Sequence, residues 1–357
     1  MTTTMFPACE VRFSKDVAGK TATFFLAAEE YVAGKLPEGD YLFSWILPPT
    51  VVMGRNQVAH QEFDLDYCAA HGIDIVRRKS GGGAVFADHR NIMWSLITRG
   101  GDVEPIFKEY AEAVAAALTR LGATAKLSGR NDIILENGGK VCGNAFYHLK
   151  ERNIVHGTML YDTNMEAMQR ALRPAPEKLK AKGVQSVRSR IGLLKDYISG
   201  GTLSLRDRLT ALLTNRHITL SEADIAAIEN IERTYREPDF LFGHIQVADE
   251  VVSARIEGCG TIELHFTLRG SRVSDVSLKG DFFATTDAQC AFGEAFKGMP
   301  FTTAHLQARA KECSLHATIR GLTPKDLDNL LSIKSENSEH SEHSYHSEIS
   351  DKTLSTQ

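Results

Sequence analysis

The chain has 357 residues, 43% hydrophobic and 24% charged, with a formal net charge of −4. Such a composition belongs to a soluble globular protein of about two domains, and its charge balance makes no electrostatic case for a nucleic-acid or membrane partner. No apolar run approaches the roughly 20 residues that span a bilayer, and residues 1–10 lack the charged-then-apolar pattern of a secretory signal. Cys9, Cys68, Cys142, Cys259, Cys290 and Cys313 form no CxxC pair. Reduced thiols and a cytoplasmic location are therefore expected, not disulfides or a zinc site.

In chain order, Phe24, Leu26, Ala27 and Ala28 lie in a predicted helix over 20–35, and strands are predicted over 41–46 and 50–53, divided by Pro48-Pro49. A strand over 72–76 leads into Arg77-Arg78-Lys79-Ser80-Gly81-Gly82-Gly83, and Ala84-Val85-Phe86 leads out. Adjacent residues without Cβ allow positive φ and let a ligand lie against bare backbone. With three cations beside them they suit an anion, most simply a phosphate held by main-chain N–H groups and a guanidinium. A glycine-rich hairpin turn with solvated basic neighbours fits the same letters. Lys79-Ser80 precedes the glycines, so this is no Walker A loop, and no Gly-x-Gly-x-x-Gly follows a strand here.

Ile106, Tyr110, Val114, Ala117 and Leu121 recur at helical spacing over 105–121, with Gly122 as C-cap. Residues 128–136 and 140–146 read as strands joined by a turn at Asn137-Gly138. Lys140 stands at the mouth of that turn before Val141, Cys142, Gly143 and Ala145. It either points outward, as hairpin lysines commonly do, or inward as a functional charge. A strand over 155–162 and a helix over 165–172 follow, then a basic stretch over 178–190. Helices are predicted over 206–213 and 221–235, the second opened by Ser221 and Asp224 as an approximate capping box.

Arg236-Glu237-Pro238-Asp239 breaks that helix and sets a domain boundary near 236–246. Strands over 245–256, 262–269 and 272–278 come next, then helices over 286–296, 302–310 and 324–331. The order of elements predicts an α+β fold: a mixed β-sheet domain packed with helices, plus a smaller α+β domain. The division expected is 1–240, 246–333 and a Ser/Glu/His-rich disordered tail over 334–357, whose His340, His343 and His346 read as solvated residues rather than a metal site.

Met53-Gly54-Arg55-Asn56-Gln57, the loop over 77–86, Gly129-Arg130-Asn131-Asp132, residues 140–145, His156-Gly157-Thr158 and residues 182–190 stand in the order of the lipoate–protein ligase A family. The chain resembles that family, within the biotin/lipoate protein ligase superfamily, over about residues 20–330. The resemblance implies that ATP activates the lipoate carboxylate as an acyl-adenylate, and that a lysine of an acceptor domain then takes the lipoyl group. It implies Lys140 as the catalytic residue, touching both acyl carbonyl and phosphate. It implies Arg78, Gly83, Ala84, Val85, Phe86, Asn131 and Lys140 as ATP contacts. Ser80, Gly81, Gly82, His156 and Lys140 become lipoate contacts, and Asp132 a Mg²⁺ contact. ATP with Mg²⁺ and lipoate are substrates, no tightly bound metal is expected, and a monomer is expected. The acceptors implied are lipoyl domains of 2-oxoacid dehydrogenase complexes and the glycine cleavage H protein.

For the apolar lipoyl tail, Val76, Val85, Val141, Ala145 and Phe146 are candidates to line a tunnel, and each is equally placed for plain core. Two departures from the family pattern are Cys142 where serine is common and Val155 before His156-Gly157. Related acyltransferases pass the acyl group through a cysteine thioester without ATP. Residues at i and i+2 of a strand share a face, which leaves room for Cys142 beside Lys140, but Cys142 reads first as a small buried residue in the place of serine. A thioester transferase and a non-catalytic lipoate-binding protein stay open as alternatives.

Overall fold

A computed structural model describes residues 6–128, 131–149, 151–172, 191–243 and 248–332. Gly129, Arg130, the basic stretch over 178–190 and the tail over 334–357 lie outside the described residues.

The strands of the large domain are β1 (Ala8–Phe13), β2 (Tyr41–Trp45), β3 (Thr50–Met53), β4 (Asp74–Arg77), β5 (Val85–Ala87), β6 (Asn91–Arg99), β7 (Ala125–Ser128), β8 (Asp132–Leu135), β9 (Lys140–Leu149), β10 (Arg152–Leu160) and β11 (Thr214–Leu220). Its helices are α1 (Ala22–Lys35), α2 (Ala59–Glu62), α3 (Leu65–Ala70), α4 (Val103–Arg120), α5 (Met165–Ala171), α6 (Gly201–Leu213), α7 (Glu222–Tyr235) and α8 (Pro238–Phe242). Eight strands form one mixed sheet in the order β11-β1-β2-β6-β10-β9-β8-β7, and β4-β3-β5 form a small second sheet. Helices α1 and α7 pack on one face of the large sheet, and α4 and α6 on the other. Strand β10 is buried at every residue because helices cover both faces.

The fold class is therefore the α+β expected. Strands β1, β6 and β11 lay outside the sequence reading. Strand β6, Asn-Ile-Met-Trp-Ser-Leu-Ile-Thr-Arg, is buried along eight of its nine residues and so lacks polar alternation. The strand expected over 128–136 is two strands, β7 and β8, on either side of Asn131. Helix α7 begins on the capping box between Ser221 and Asp224 and gives way at Pro238 to the short α8, where proline occupies the first turn.

The smaller C-terminal domain is an antiparallel sheet of β12 (Glu250–Ile256), β13 (Gly260–Arg269) and β14 (Arg272–Gly280). Helices α9 (Ala288–Phe296), α10 (Thr303–Glu312) and α11 (Pro324–Leu330) cover it around a core that includes Phe266, Phe292 and Phe296. It meets the large domain at the glycine loop. Gly82 donates its N–H to the Phe282 carbonyl at 2.9 Å, and Gly280 to the Asn56 carbonyl at 2.9 Å. The Phe283 ring stacks on Phe146 with centroids 5.5 Å apart, and the Arg320 guanidinium lies over the Phe146 ring while pairing with Glu104.

Candidate functional site

Strand register assembles the site. Trp45 pairs with Met93, Met93 with Thr158, Thr158 with Gly143, and Gly143 with Asp132, across β2, β6, β10, β9 and β8. Directly paired residues share a face, and all five line one cavity of about 250 Å³. Leu26 of α1, Val52, Arg78, Gly83, Ala84 and Val85 form another wall, and Asp281 and Phe283 come from the small domain.

Lys140 reaches this cavity through a bulge. Ile133 pairs with Cys142 but Ile134 pairs with Lys140, so Val141 is the extra residue. The insertion reverses the alternation. Lys140 thus shares the cavity face with Gly143, whereas Cys142 turns into the core with Ile133. Cys142 is thus the small buried residue expected in the place of serine, and that single inserted residue keeps it off the face that carries Lys140. Burial pushes the Cys142 thiol up to about 12, outweighing the Lys140 charge that pulls it down. A thioester nucleophile needs the thiolate, so the cysteine route has no support in this geometry.

Lys140 Nζ lies 2.7 Å from Asp132 Oδ1. That oxygen is buried and makes no aligned hydrogen bond, so the contact is an ion pair. A Cβ on Gly143 would lie 2.8 Å from Nζ, which makes this glycine the seat of the ammonium group. Asn131 and Asn144 lock the neighbouring turn: each side-chain amide donates to the other's main-chain carbonyl.

The three loop glycines differ in kind. A Cβ on Gly81 would lie 2.3 Å from the Phe282 carbonyl oxygen. Gly82 has a φ of 86°, and its Cβ would meet the Phe283 ring at 2.7 Å. Gly83 has ordinary φ, and a Cβ there would meet nothing within 4 Å. It alone of the three lines the cavity. Gly81 and Gly82 serve the domain seam, Ser80 is fully buried, and Phe86 belongs to the core around β3. None of these four lines the cavity, while Arg78, Gly83, Ala84, Val85, Asn131, Asp132, Lys140 and His156 do. Of the tunnel candidates Val85 and Ala145 line it, and Val76, Val141 and Phe146 are core.

Arg78 is 5% exposed and clamps its own loop. Its Nη2 donates to the Gly81 and Gly83 carbonyls at 2.7 and 2.8 Å, Nη1 to the Val52 carbonyl at 3.2 Å, and Nε to Ser80 Oγ at 2.9 Å. Arg77 donates likewise to the carbonyls of Gly54, Arg55, Gln57 and Leu241. Burial lowers both guanidinium groups to about 10. Both rings of contacts fix backbone, which is why these arginines precede the glycines.

His156 presents its ring to the cavity while both nitrogens are engaged. Nδ1 faces the Glu29 carboxylate at 2.9 and 3.0 Å, and Nε2 faces Ser80 Oγ at 2.7 Å. Glu29 also accepts from Ser95 Oγ at 2.6 Å, which in turn accepts from Trp45 Nε1 at 2.9 Å. Sequence reasoning passed over Glu29, Trp45, Met93, Asn144, Asp281 and Phe283. For Glu29 a signal existed: Glu29-Glu30 interrupts a helix otherwise composed of residues such as Phe24, Phe25 and Leu26 and buried nearly all round.

Residues 21–215 match the family model of the lipoyl protein ligase A/B catalytic domain, and residues 249–331 that of the bacterial lipoate protein ligase C-terminus. The chain is 34% identical to lipoate-protein ligase LplJ of Bacillus subtilis over 274 residues, 73% of this chain and 82% of that protein. It is 30% identical to lipoate–protein ligase 1 of Staphylococcus aureus over 320 residues, 87% and 96% of the two chains. Among solved structures, P. falciparum LipL1 in complex with lipoate shares the fold with a TM-score of 0.70 at 17% identity, covering 91% of this chain and 98% of that one. A lipoate-protein ligase A bound with ATP shares it with a TM-score of 0.57 at 23% identity, over 66% and 99% of the chains. The chain belongs to the lipoate–protein ligase family.

Proposed function

We propose that this chain activates lipoate with ATP and transfers the lipoyl group to a lysine of an acceptor protein. A lipoate carboxylate oxygen attacks the α-phosphorus of ATP and pyrophosphate leaves. The acceptor lysine loses a proton to become the free amine, which attacks the acyl carbon; AMP leaves and the nitrogen sheds a second proton to give the amide. The observation that carries this reading is Lys140, held over Gly143 at the wall of a cavity that the bare backbone of Gly83 also lines. A fixed cation facing main-chain groups is what stabilises charge building on the phosphate and acyl oxygens.

In this scheme Lys140 contacts the acyl carbonyl and the phosphate, the loop over 83–85 cradles the nucleotide, and Arg78 shapes that loop. Leu26, Trp45, Val52 and Met93 supply apolar wall for the lipoyl tail. Among the described residues no cluster of three metal-ligating side chains exists. Asp132 offers one hard oxygen at the cavity, which fits a Mg²⁺ that arrives on ATP phosphates and takes one carboxylate from the protein. The cation would neutralise phosphate charge there.

The domains proposed are catalytic (1–240) and accessory (246–333). Lipoyl domains of 2-oxoacid dehydrogenase complexes and the glycine cleavage H protein are the acceptors we propose; the archaeal relative from Thermoplasma acidophilum is described with its E2 lipoyl domain. The form proposed is a monomeric cytoplasmic enzyme. Among the described residues no helix is long and apolar enough to cross a membrane.

Lipoate-dependent exchange of pyrophosphate into ATP, with no acceptor present, tests the first step. Exchange in the wild type and its loss in Lys140→Ala are expected. Absence of exchange at saturating ATP, Mg²⁺ and lipoate would overturn the scheme.

A further inference from the structure

We propose that Glu29 is a positioning residue for the adenylation site: acting through His156 and Ser80, its carboxylate holds the Arg78 clamp and with it the glycine loop. The proposal deepens the ligase reading and rests on it for its kinetic consequence.

Arg78 is a buried cation whose direct partners are carbonyl oxygens and one hydroxyl, with no carboxylate in contact among the described residues. Glu29 is fully buried; its carboxylate accepts from Ser95 and faces His156, the Tyr147 hydroxyl also lies within reach of its charge, and no described lysine or arginine is in contact. Each charge alone would be costly to bury. Two side chains, Ser80 and His156, connect them. The Arg78 Nε–H donates to Ser80 Oγ, and in the proposed relay the Ser80 hydroxyl donates to Nε2 of a neutral His156. The remaining hydrogen of the neutral imidazole is then on Nδ1 and donates to Glu29. Every donor points from the cation toward the anion, the arrangement in which successive hydrogen bonds polarise one another. The Glu29 charge supports the charged form of Arg78 against burial, which acts the other way.

Ser80, His156 and Glu29 have the spacing of an acyl-transfer triad, but Ser80 is fully buried, does not line the cavity and accepts from Arg78. It is a link and not a nucleophile. The next pair along repeats the anchoring: Lys79 Nζ lies 2.7 Å from Glu30 Oε1. Two successive carboxylates of α1 thereby answer two successive cations of the loop. Trp45, at the cavity wall, joins the same chain through Ser95.

The test combines a spectrum with a double-mutant cycle. In wild-type protein labelled with ¹⁵N-histidine, His156 should appear at neutral pH as the Nδ1–H tautomer; the Nε2–H tautomer or an imidazolium overturns the relay. This readout needs neither substrate nor turnover, so it stands even if the exchange reaction itself is absent and the ligase reading fails. Kinetically, Glu29→Gln keeps the shape and removes the charge. It should lower kcat/KM for ATP in pyrophosphate exchange by about 10- to 100-fold, the ratio expected for one charged hydrogen bond. Ser80→Ala should give a loss of similar size. In the double variant the two losses should not multiply, because both break one chain. Multiplying losses, or wild-type exchange in Glu29→Gln, overturn the proposal. Should Glu29→Gln fail to fold, the wild-type tautomer decides.

Discussion

Alanine substitution of the three adjacent glycines separates backbone need from ligand need. Gly83 has no positive φ and no atom within 4 Å of an added Cβ. Gly83→Ala should therefore fold at least as well as wild type, with the restricted unfolded chain adding about 0.4–1 kcal/mol. At Gly81 the new Cβ would sit 2.3 Å from the Phe282 carbonyl oxygen, so the seam must shift. That removes the Gly82 to Phe282 hydrogen bond at 2.9 Å, costing about 1 kcal/mol, plus about 1–3 kcal/mol of overpacking. Gly82→Ala adds a left-handed penalty of about 1–2 kcal/mol to a clash with the Phe283 ring at 2.7 Å. Thermal unfolding should rank Gly83→Ala at or above wild type and the other two below it by several degrees, at about 2–4 °C per kcal/mol for a domain of this size. Pyrophosphate exchange should reverse the benefit: the Gly83 methyl enters a cavity of only about 250 Å³, and a misplacement of about 1 Å can cost roughly 100-fold in rate. Unaltered exchange kinetics in Gly83→Ala would refute the idea that this glycine is kept bare for a ligand. A Tm loss matching that of Gly81→Ala would refute the packing argument.

Other outcomes follow from the same geometry. Gly143→Ala places a Cβ 2.8 Å from Lys140 Nζ; exchange should fall about 10- to 100-fold while circular dichroism is unchanged. Cys142, raised to about 12 by burial, should resist iodoacetamide in the native state, and Cys142→Ala should retain exchange. Its raised folded value also has a pH consequence. Above about pH 9 the unfolded thiol ionises and the folded one does not, so this contribution to stability is present below that pH and is lost as pH rises toward 12. Alkaline unfolding curves of Cys142→Ala should be shallower than wild type over that window. Phe283→Ala removes a ring that is 2% exposed and stacked on Phe146; a loss of about 3–5 kcal/mol is expected from denaturant titration if the two domains unfold together, and a value near zero would mean that the seam contributes little.

Much was legible from local chemistry. The run at 81–83 announced backbone that must be bare, the pattern over 105–121 announced α4, and the pair Ser221 and Asp224 announced the start of α7. These signals act within a few residues, through φ preference, helical periodicity and capping, so the chain states them directly. Other features depend on residues far apart in sequence. Strand β6 was missed because coverage on both faces erased its alternation, and only neighbouring layers impose that coverage. Whether Lys140 points in or out was undecidable from Lys-Val-Cys-Gly, because one inserted residue opposite β8 sets its face. Glu29 and His156 lie 127 residues apart, and no local pattern joins them; α1 must first pack on the sheet. The three glycines read alike in the sequence. Their separate duties arose only when the Phe282 and Phe283 backbone and ring closed on two of them and left the third facing the cavity.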